Sequence, residues 1–316
     1  MIVIYDNDDP NIGRVAQYLD QCIKVKKLLL NSLDKNISIS HSTNHFQIIN
    51  FETIIDSNDF IKSNQIVFFR WKMKLIPFIR SSFRKKYDKL FAEREWQELL
   101  LGLLSTIEYQ KRNINWINSP TKYYIFRNKL FLLSISKNFN LISPQNFICS
   151  TFNNIENNNV LIAKSISSDE QFTPKKYFRT TLLDCNFIEK NVGKKSLCPS
   201  YIQEYIKPEF ELRIYYLMNC FYSIKIQYKN EYIDIRDIPK NDLNISKFGI
   251  PYSLRNNILL YCKSLGLNYC CFDFVFKDKQ YYLLDITSNG SWAFYEDEKK
   301  MEISKWFAEV LIKNEK

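Results

Sequence analysis

Residues 270–292 read CCFDFVFKDKQYYLLDITSNGSW, and this stretch guides the interpretation of the whole chain. Two apolar runs flank residues 277–279, a pattern that predicts a β-hairpin with a tight turn. Asp273 lies inside the first run and Asp285 near the end of the second. Because an ionised carboxylate in an apolar strand is costly unless it is paired or binds a cation, these two acids indicate a site.

Oxygen-bearing side chains of Thr287 and Asn289 follow the second strand. Carboxylates and neutral oxygens are common ligands of Mg²⁺, and a Mg²⁺ ion bound in this way also binds substrate phosphates. The hairpin therefore favours a magnesium site built from Asp273, Asp285, Thr287 and Asn289. The alternative is that a lysine or arginine pairs with Asp273 and that Asp285 is a turn residue. The residues alone leave both interpretations open.

Further charges interrupt apolar segments upstream. Glu204 lies in the predicted strand 200–206, and Lys164 ends the apolar run 160–164. Glu211 and Arg213 share one face of the next strand, because side chains alternate with a period of two. Lys164 would bind phosphate as a point charge or else extend to solvent. Glu211 and Arg213 would serve a site or form a cross-strand ion pair.

Bulk composition narrows the class of protein. A chain of 316 residues with 46% hydrophobic residues is long enough for two or three lobes with a cleft between them. The net charge of +10 suits an anionic partner. Its densest basic run, at positions 80–86, is short and is typical of a solvated face rather than a nucleic-acid reader.

Cellular location is predicted from what the sequence lacks. The N-terminus shows no basic and apolar signal-peptide pattern, and no run approaches about 20 apolar residues. The eight cysteines are scattered without a CxxC pair, so buried thiols in a reducing compartment are expected. We therefore predict a cytoplasmic protein without a membrane segment.

Hydrophobic periodicity predicts alternating strands and helices. Residues 1–5 and 12–27 form a βα opening, and residues 84–107 are predicted as the strongest helix. Other helices are predicted at 122–138, 252–265 and 296–313. The apolar stripe of the long helix is predicted to be core, and it comprises Leu90, Phe91, Trp96, Leu99, Leu100, Leu103 and Leu104.

The order and spacing of the charged positions resemble those of ATP-grasp enzymes. More narrowly, the chain resembles the ATP-grasp peptide maturases of the microviridin type, which make graspetides. Supporting segments include Phe68-Phe69-Arg70 and the W-x-N-x-P-like residues 116–120. The resemblance implies an α/β ATP-grasp fold: an N-terminal pre-ATP-grasp α/β lobe (1–118), a central lobe (119–206) and a C-terminal lobe (207–316). The nucleotide would lie between the last two.

Residue roles follow from the resemblance position by position. Lys129 and Lys164 would contact the nucleotide phosphates and adenine side, and Glu211 would hold the ribose. Arg213 and Arg236 would face the γ-phosphate, with Asp234 in the same catalytic set. Asp273 and Asp285 would bridge Mg²⁺. The adenine would be lined by the strand residues Gln203, Glu204, Tyr205 and Ile206.

The sequence departs from the family pattern at two places. The family usually ends its last strand with Glu-x-Asn, whereas here the residues are Asp285-Ile286-Thr287, so Asn289 could replace the missing amide. The segment expected to cover the phosphates, residues 178–198, contains only Gly193.

The activity implied is ATP- and Mg²⁺-dependent ligation within a ribosomal precursor peptide. Asp or Glu side chains would be activated as acyl phosphates and joined to Ser or Thr hydroxyls or Lys amines. The partner would carry a leader, placed near residues 238–248, and an acidic core, and the enzyme could be a homodimer. The alternatives are an amino-acid ligase acting on a peptide or protein terminus and a non-catalytic nucleotide- or peptide-binding module.

Overall fold

The computed structural model describes residues 1–6, 9–29, 38–42, 45–50, 53–69, 85–111, 113–151, 160–166, 171–173, 176–177, 179–184, 189–191, 193–229 and 232–315. Arg70, most of the basic run at 80–86 and part of the glycine-poor segment 178–198 lie outside these residues. None of the helices in the described ranges is long and apolar enough to cross a membrane.

The chain contains both strands and helices, as predicted for an α/β protein, but several strands follow one another without an intervening described α-helix. The strands are β1 (Ile2–Tyr5), β2 (Lys26–Leu29), β3 (Ser38–Ser42), β4 (His45–Asn50), β5 (Thr53–Asp56), β6 (Gln65–Phe69), β7 (Asn115–Ile117), β8 (Asn146–Thr151), β9 (Leu161–Lys164), β10 (Gln171–Thr173), β11 (Lys176–Tyr177), β12 (Thr181–Leu183), β13 (Lys195–Glu204), β14 (Phe210–Leu217), β15 (Cys220–Gln227), β16 (Asn244–Lys247), β17 (Tyr269–Lys277) and β18 (Gln280–Thr287). The α-helices are α1 (Pro10–Asp20), α2 (Ser57–Lys62), α3 (Lys86–Gln110), α4 (Lys129–Ser136), α5 (Tyr252–Leu265), α6 (Ala293–Lys299) and α7 (Ile303–Glu315).

The N-terminal part is built on a parallel sheet with strand order β2-β1-β6-β7. β1 is buried along its whole length, as expected for a parallel strand covered on both faces. Helix α1 was predicted to reach residue 27, but it ends at Asp20. The prediction was wrong there because residues 26–29 pair with β1 as strand β2.

Helix α3 corrects the predicted core stripe. Leu100, Leu103 and Leu104 are buried against the parallel sheet. Leu90 and Phe91, however, are 42% and 65% exposed, and Leu99 is 40% exposed. The helix has 25 residues, so it is far longer than the strands of 3 to 5 residues that it covers, and only its C-terminal half meets them.

The central part contains an antiparallel sheet with strand order β12-β9-β13-β8. The helix predicted at 122–138 is shorter than expected. A 3₁₀ turn at Ile125–Arg127 comes first, and α4 begins at Lys129 because the Asn128 side chain caps it, accepting a hydrogen bond from Phe131 N at 2.9 Å.

The C-terminal part contains a five-stranded antiparallel sheet with strand order β16-β15-β14-β17-β18. The predicted hairpin is confirmed as β17 and β18, whose turn places Asp278 and Lys279 in the left-handed region (φ 48° and 62°). Helix α5 lies where it was predicted, and its buried residues pack with inward side chains of β14 and β17.

The single helix predicted at 296–313 is instead two helices. Lys300 adopts a left-handed conformation (φ 54°) that ends α6 before α7 begins. Helix α7 returns to the N-terminal part, where Gln65 Nε2 donates to Leu311 O at 3.0 Å. The predicted domain bounds stay a prediction, although one hydrophobic cluster joins α1, α7 and the C-terminal sheet.

The expectation of buried thiols is right for only part of the cysteines. Cys262, Cys270 and Cys271 are buried, whereas Cys22 and Cys198 are exposed. The two exposed positions lie just after α1 and on β13 respectively, outside the hydrophobic clusters.

Candidate functional site

A cavity of about 630 Å³ lies between the central and the C-terminal antiparallel sheets. Eleven of the fourteen predicted site residues line it: Lys129, Lys164, Glu204, Tyr205, Ile206, Glu211, Arg213, Asp234, Arg236, Asp273 and Asp285. The central sheet contributes residues of β9 and β13, and the C-terminal sheet contributes residues of β14, β15, β17 and β18.

Three of these side chains form a row across neighbouring strands. Arg213 on β14 is the register partner of Asp273 on β17, which is the partner of Asp285 on β18. Arg213 Nε lies 3.4 Å from Asp273 Oδ1. Glu211 lies two residues before Arg213, so both face the cavity, as the alternation of the strand predicts.

One alternative to a metal site was that a lysine or arginine pairs with Asp273, and the structure contains such ion pairs. Asp273 has an arginine partner, and Asp285 Oδ2 lies 2.9 Å from Lys129 Nζ. Both carboxylates nevertheless line the cavity side by side. Burial raises the pKa of Asp273; Arg213 acts against that rise, and the negative charge of Asp285 adds to it. Two neighbouring acids in such surroundings favour the arrival of further positive charge.

Lys129 and Lys164 line the same cavity as this row. Lys164 Nζ donates to Gln203 Oε1 at 2.7 Å, and Gln203 Nε2 donates to Tyr201 Oη at 3.1 Å. Gln203 is fully buried and therefore orients Lys164 from behind the cavity wall. Burial lowers the pKa of Lys164 to about 8, although Asp285 acts in the opposite direction.

Glu211 is a second acid of the cavity whose pKa is raised. Burial, together with the neighbouring negative charge of Asp273, raises its pKa to about 7. The hydroxyl of Tyr228 donates to Glu211 Oε1 at 2.8 Å and acts against that rise. Because its pKa is near neutral, the ionisation of Glu211 depends on the hydrogen-bond donors that reach its carboxyl group.

Residues 204–206 line the cavity at and just beyond the end of β13. Glu204 Oε2 accepts from Gln145 N at 3.3 Å, and Tyr205 N donates to Val160 O at 2.8 Å. Ile206, an aliphatic residue, lines the cavity next to Tyr205. Other aliphatic side chains line the cavity as well, and they are Ile162, Ile226, Ile233, Ile235, Ile238, Val275 and Leu284.

Asp234 and Arg236 form a tight pair at the mouth. Arg236 Nε donates to Asp234 Oδ1 at 2.8 Å, and its Nη2 lies 2.5 Å from Oδ2. Thr180 N in the central part also donates to Asp234 Oδ2, at 3.0 Å. Burial alone would raise the pKa of Asp234, but the hydrogen bonds from Arg236 and Thr180 outweigh it and lower the pKa to about 2.

Three predicted site residues do not line the cavity. Gln203 lies behind Lys164, as described above. Thr287 pairs with Cys271 at the end of β18, and Asn289 lines a separate small cavity that also includes Asn118 and Arg127. The proposed ligand roles of Thr287 and Asn289 therefore stay predictions, whereas Asp273 and Asp285 are together at the site.

The donor set fits a magnesium ion that is shared with phosphates. In the described ranges, no group of three or more His, Cys, Asp or Glu side chains is placed to hold a metal. Two carboxylates completed by water and phosphate oxygens are, however, the usual Mg²⁺ arrangement in phosphate-transferring sites. Asp273 and Asp285 form such a pair, and the positively charged Lys129, Lys164 and Arg213 line the same cavity.

Sequence reasoning missed two tyrosines of the site. Tyr228 donates to Glu211, and the Tyr295 hydroxyl accepts from Arg213 Nη1 at 3.2 Å. The guanidinium of Arg213 also lies 5.6 Å from the ring centre of Tyr295. The alternation of β15 would have placed residue 228 on the cavity face, beyond Ile226, but nothing in the sequence marked Tyr295.

Two antiparallel sheets with a polar cavity between them, preceded by a parallel α/β lobe, define the ATP-grasp fold, and comparison with solved structures confirms it. No protein-family model matches the sequence, and no curated protein matches it either. Over the whole chain the fold is similar to that of D-alanine–D-alanine ligase from Bacillus anthracis complexed with ATP (TM-score 0.51, 11% identity, 98% of this chain and 94% of that one).

The similarity to peptide-modifying ATP-grasp proteins is greater. The macrocyclase MdnC from Microcystis aeruginosa, bound with the precursor peptide MdnA, matches with a TM-score of 0.80 and 15% identity over 99% of both chains. A RiPP-associated ATP-grasp ligase from Chryseobacterium gregarium, in complex with ADP and a leader and core peptide, matches with a TM-score of 0.75 and 17% identity over 99% of this chain and 96% of that one. At these identities the comparison establishes the fold.

Proposed function

We propose that the chain is an ATP- and Mg²⁺-dependent ligase that forms rings in a ribosomal precursor peptide. The observation that carries the proposal is the row Arg213, Asp273 and Asp285 in one cavity with Lys129 and Lys164. The end-to-end fold similarity to a macrocyclase bound with its precursor supports the choice of a peptide substrate.

The cavity suits a nucleoside triphosphate in both size and chemistry. Its aliphatic edge beside residues 204–206 would receive the adenine. Glu211, oriented by Tyr228, would accept hydrogen bonds from the ribose. The phosphates would then lie toward Lys129, Lys164 and the row of charges. The fold similarity to the ATP-grasp ligase PsnB, solved in complex with a minimal precursor, Mg and ADP, supports this assignment.

Magnesium held by Asp273 and Asp285 would neutralise charge on the phosphate oxygens. The residues of the chain do the remaining work. Arg213, fixed by Asp273 and Tyr295, faces the side of the cavity where the terminal phosphate would lie. Arg236, held by Asp234, extends to the mouth, where the peptide would enter.

The reaction begins with a side-chain carboxylate of the peptide attacking the γ-phosphorus of ATP, which releases ADP and forms an acyl phosphate. A hydroxyl or amine of the same peptide then attacks the acyl carbon, loses its proton and expels inorganic phosphate, which closes the ring. The arginines stabilise the negative charge that builds up in both steps. Ester and amide formation use the same machinery, so the nucleophile is set by the peptide.

A precursor with a leader and an acidic core is the proposed partner. The net charge of +10 would attract the acidic core. The predicted leader segment 238–248 contains the edge strand β16 of the C-terminal sheet. An exposed strand edge offers backbone hydrogen bonds to an incoming peptide. A homodimer and a cytoplasmic location stay predictions.

Intact-mass measurement of a short acidic peptide encoded beside this gene tests the proposal. The peptide is co-expressed with the enzyme or with its Asp273→Ala variant. We expect loss of one or more waters with the wild-type enzyme and no change with the variant. A gain of amino-acid masses would instead identify a terminal-adding ligase. Nucleotide binding without any peptide-dependent ADP release would identify a binding module.

A further inference from the structure

Asn11, at the start of helix α1, reaches across the molecule to the wall of the cavity. Its side chain is fully buried, and its Oδ1 accepts three hydrogen bonds from a segment 280 or more residues away in the sequence. The donors are Ser291 Oγ at 3.0 Å, Trp292 N at 2.8 Å and Ala293 N at 2.7 Å.

The orientation of the Asn11 amide is set by Asp9. Asp9 caps α1 and accepts from Asn11 N at 2.8 Å and from Asn11 Nδ2 at 2.9 Å. Because the amide nitrogen must face this carboxylate, the amide oxygen must face residues 291–293. These hydrogen bonds therefore fix the orientation of the Asn11 amide, with Oδ1 directed toward residues 291–293.

The segment that Asn11 holds is part of the cavity wall. Ser291, Phe294 and Tyr295 line the cavity. Helix α6 begins at Ala293, and its own preceding residue, Trp292, provides no side-chain cap. Asn11 provides the acceptor that the first backbone N–H groups of this helix need. It does so from a different lobe.

Tyr295 connects this segment to Arg213. Arg213 Nη1 donates to the Tyr295 hydroxyl at 3.2 Å, and its guanidinium lies over the ring. Helix α6 thus determines where Tyr295 stands, and Tyr295 helps to determine where the guanidinium of Arg213 points. Tyr215 Oη also donates to Ser291 O at 3.2 Å, which fixes the start of the same segment to the sheet.

We propose that Asn11 is a positioning residue for the nucleotide site: its amide oxygen fixes residues 291–295, and through Tyr295 it orients Arg213 toward the terminal phosphate. This inference rests on the proposed nucleotide site. It also means that the N-terminal lobe, whose described residues are not among those that line the cavity, still controls the geometry of an active-site arginine.

A matched control is available on the same pair of helices. Arg14, one turn after Asn11, binds Glu296 at 3.2 Å and Asp297 at 2.6 Å on the outer side of α6. Arg14→Met removes this contact between α1 and α6 but leaves the acceptor for residues 291–293 in place. General loosening of the two helices would affect both variants, whereas the proposed role is specific to Asn11.

The experiment measures the affinities of ADP and of a non-hydrolysable ATP analogue, each with Mg²⁺, for the full-length chain. Asn11→Ala should weaken the analogue about 10-fold, a loss typical of one or two good hydrogen bonds, and should change ADP affinity less than about twofold. Arg14→Met should leave both affinities within about twofold of the wild type. Amide hydrogen exchange at Trp292 and Ala293 should accelerate in Asn11→Ala but not in Arg14→Met.

A double-variant cycle tests the route through Tyr295. If Asn11 acts through that residue, Asn11→Ala combined with Tyr295→Phe should weaken the analogue no more than the stronger single change. Multiplicative losses, equal weakening of ADP and the analogue, or an Arg14→Met variant that behaves like Asn11→Ala would overturn the inference. These binding readouts do not require ring formation, so failure of the ligase proposal would appear separately, in the peptide mass.

Discussion

Removal of the Tyr228 hydroxyl should move the midpoint of the pH profile of ribose binding to higher pH. Burial raises the pKa of Glu211 to about 7, and the 2.8 Å hydrogen bond from Tyr228 limits that rise. A hydrogen bond to a charged group contributes about 1.5–3 kcal/mol, and one pKa unit corresponds to about 1.4 kcal/mol. In Tyr228→Phe we therefore expect the pKa of Glu211 to rise by about 1 to 2.

Whether affinity rises or falls with pH depends on which form of Glu211, ionised or protonated, binds the ribose. The ionised carboxylate accepts hydrogen bonds from ribose more strongly than the protonated form. Affinity should therefore increase as the pH rises through about 7 in the wild type, and only at higher pH in Tyr228→Phe. Adenosine is the suitable probe because it carries the ribose but no phosphate that titrates in the same range.

Tyr232→Phe is the matched control. Its ring lies 6.2 Å from that of Tyr228, and its hydroxyl donates to Asp242 at 3.4 Å rather than to Glu211. The midpoint of the affinity profile should stay at the wild-type pH in this variant. An unchanged midpoint in Tyr228→Phe, or an equal shift in Tyr232→Phe, would show that Tyr228 does not set the pKa of Glu211.

Three further predictions concern the core and the phosphate side. A Cβ on Gly290 would lie 2.4 Å from Cys271 Cβ, so Gly290→Ala should lower the free energy of unfolding in urea by about 1–3 kcal/mol. Cys271→Gly should cost less in that background than in the wild type. On helix α3, Leu104→Ala should cost about 2–5 kcal/mol and the exposed Phe91→Ala less than about 0.5. ADP affinity should fall as the pH rises through about 8, where Lys164 loses its proton, and Lys164→Gln should abolish that dependence.

The cavity was largely predictable because its residues violate local rules. Acids inside apolar strands, such as Asp273, carry a desolvation cost that packing alone does not explain. Alternation along β14 then places Glu211 beside Arg213 without any knowledge of the fold. The order of the charged positions indicated the ATP-grasp fold, whereas the bounds of its lobes stay a prediction. The strand register, Arg213 to Asp273 to Asp285, was the step that only the structure could add.

The features that the sequence did not predict also have physical causes. Helical periodicity in α3 shows which face is apolar, but it does not show that the parallel sheet is too short to cover Phe91. The break between α6 and α7 at Lys300 uses a left-handed lysine, which carries no strong sequence signal. Tyrosines such as Tyr295 resemble ordinary core residues. Asn11 acts on a segment 280 or more residues away, a relation that a single sequence does not contain.

Isotope transfer shows whether the γ-phosphate of ATP activates a carboxylate of the peptide. The precursor peptide is prepared with ¹⁸O in its Asp and Glu side-chain carboxylates and incubated with the enzyme, Mg²⁺ and unlabelled ATP. For each ring formed, one ¹⁸O should be transferred from the peptide to inorganic phosphate. The attacking carboxylate oxygen stays bonded to phosphorus when the nucleophile opens the acyl phosphate. Ring formation accompanied by unlabelled phosphate would contradict this mechanism.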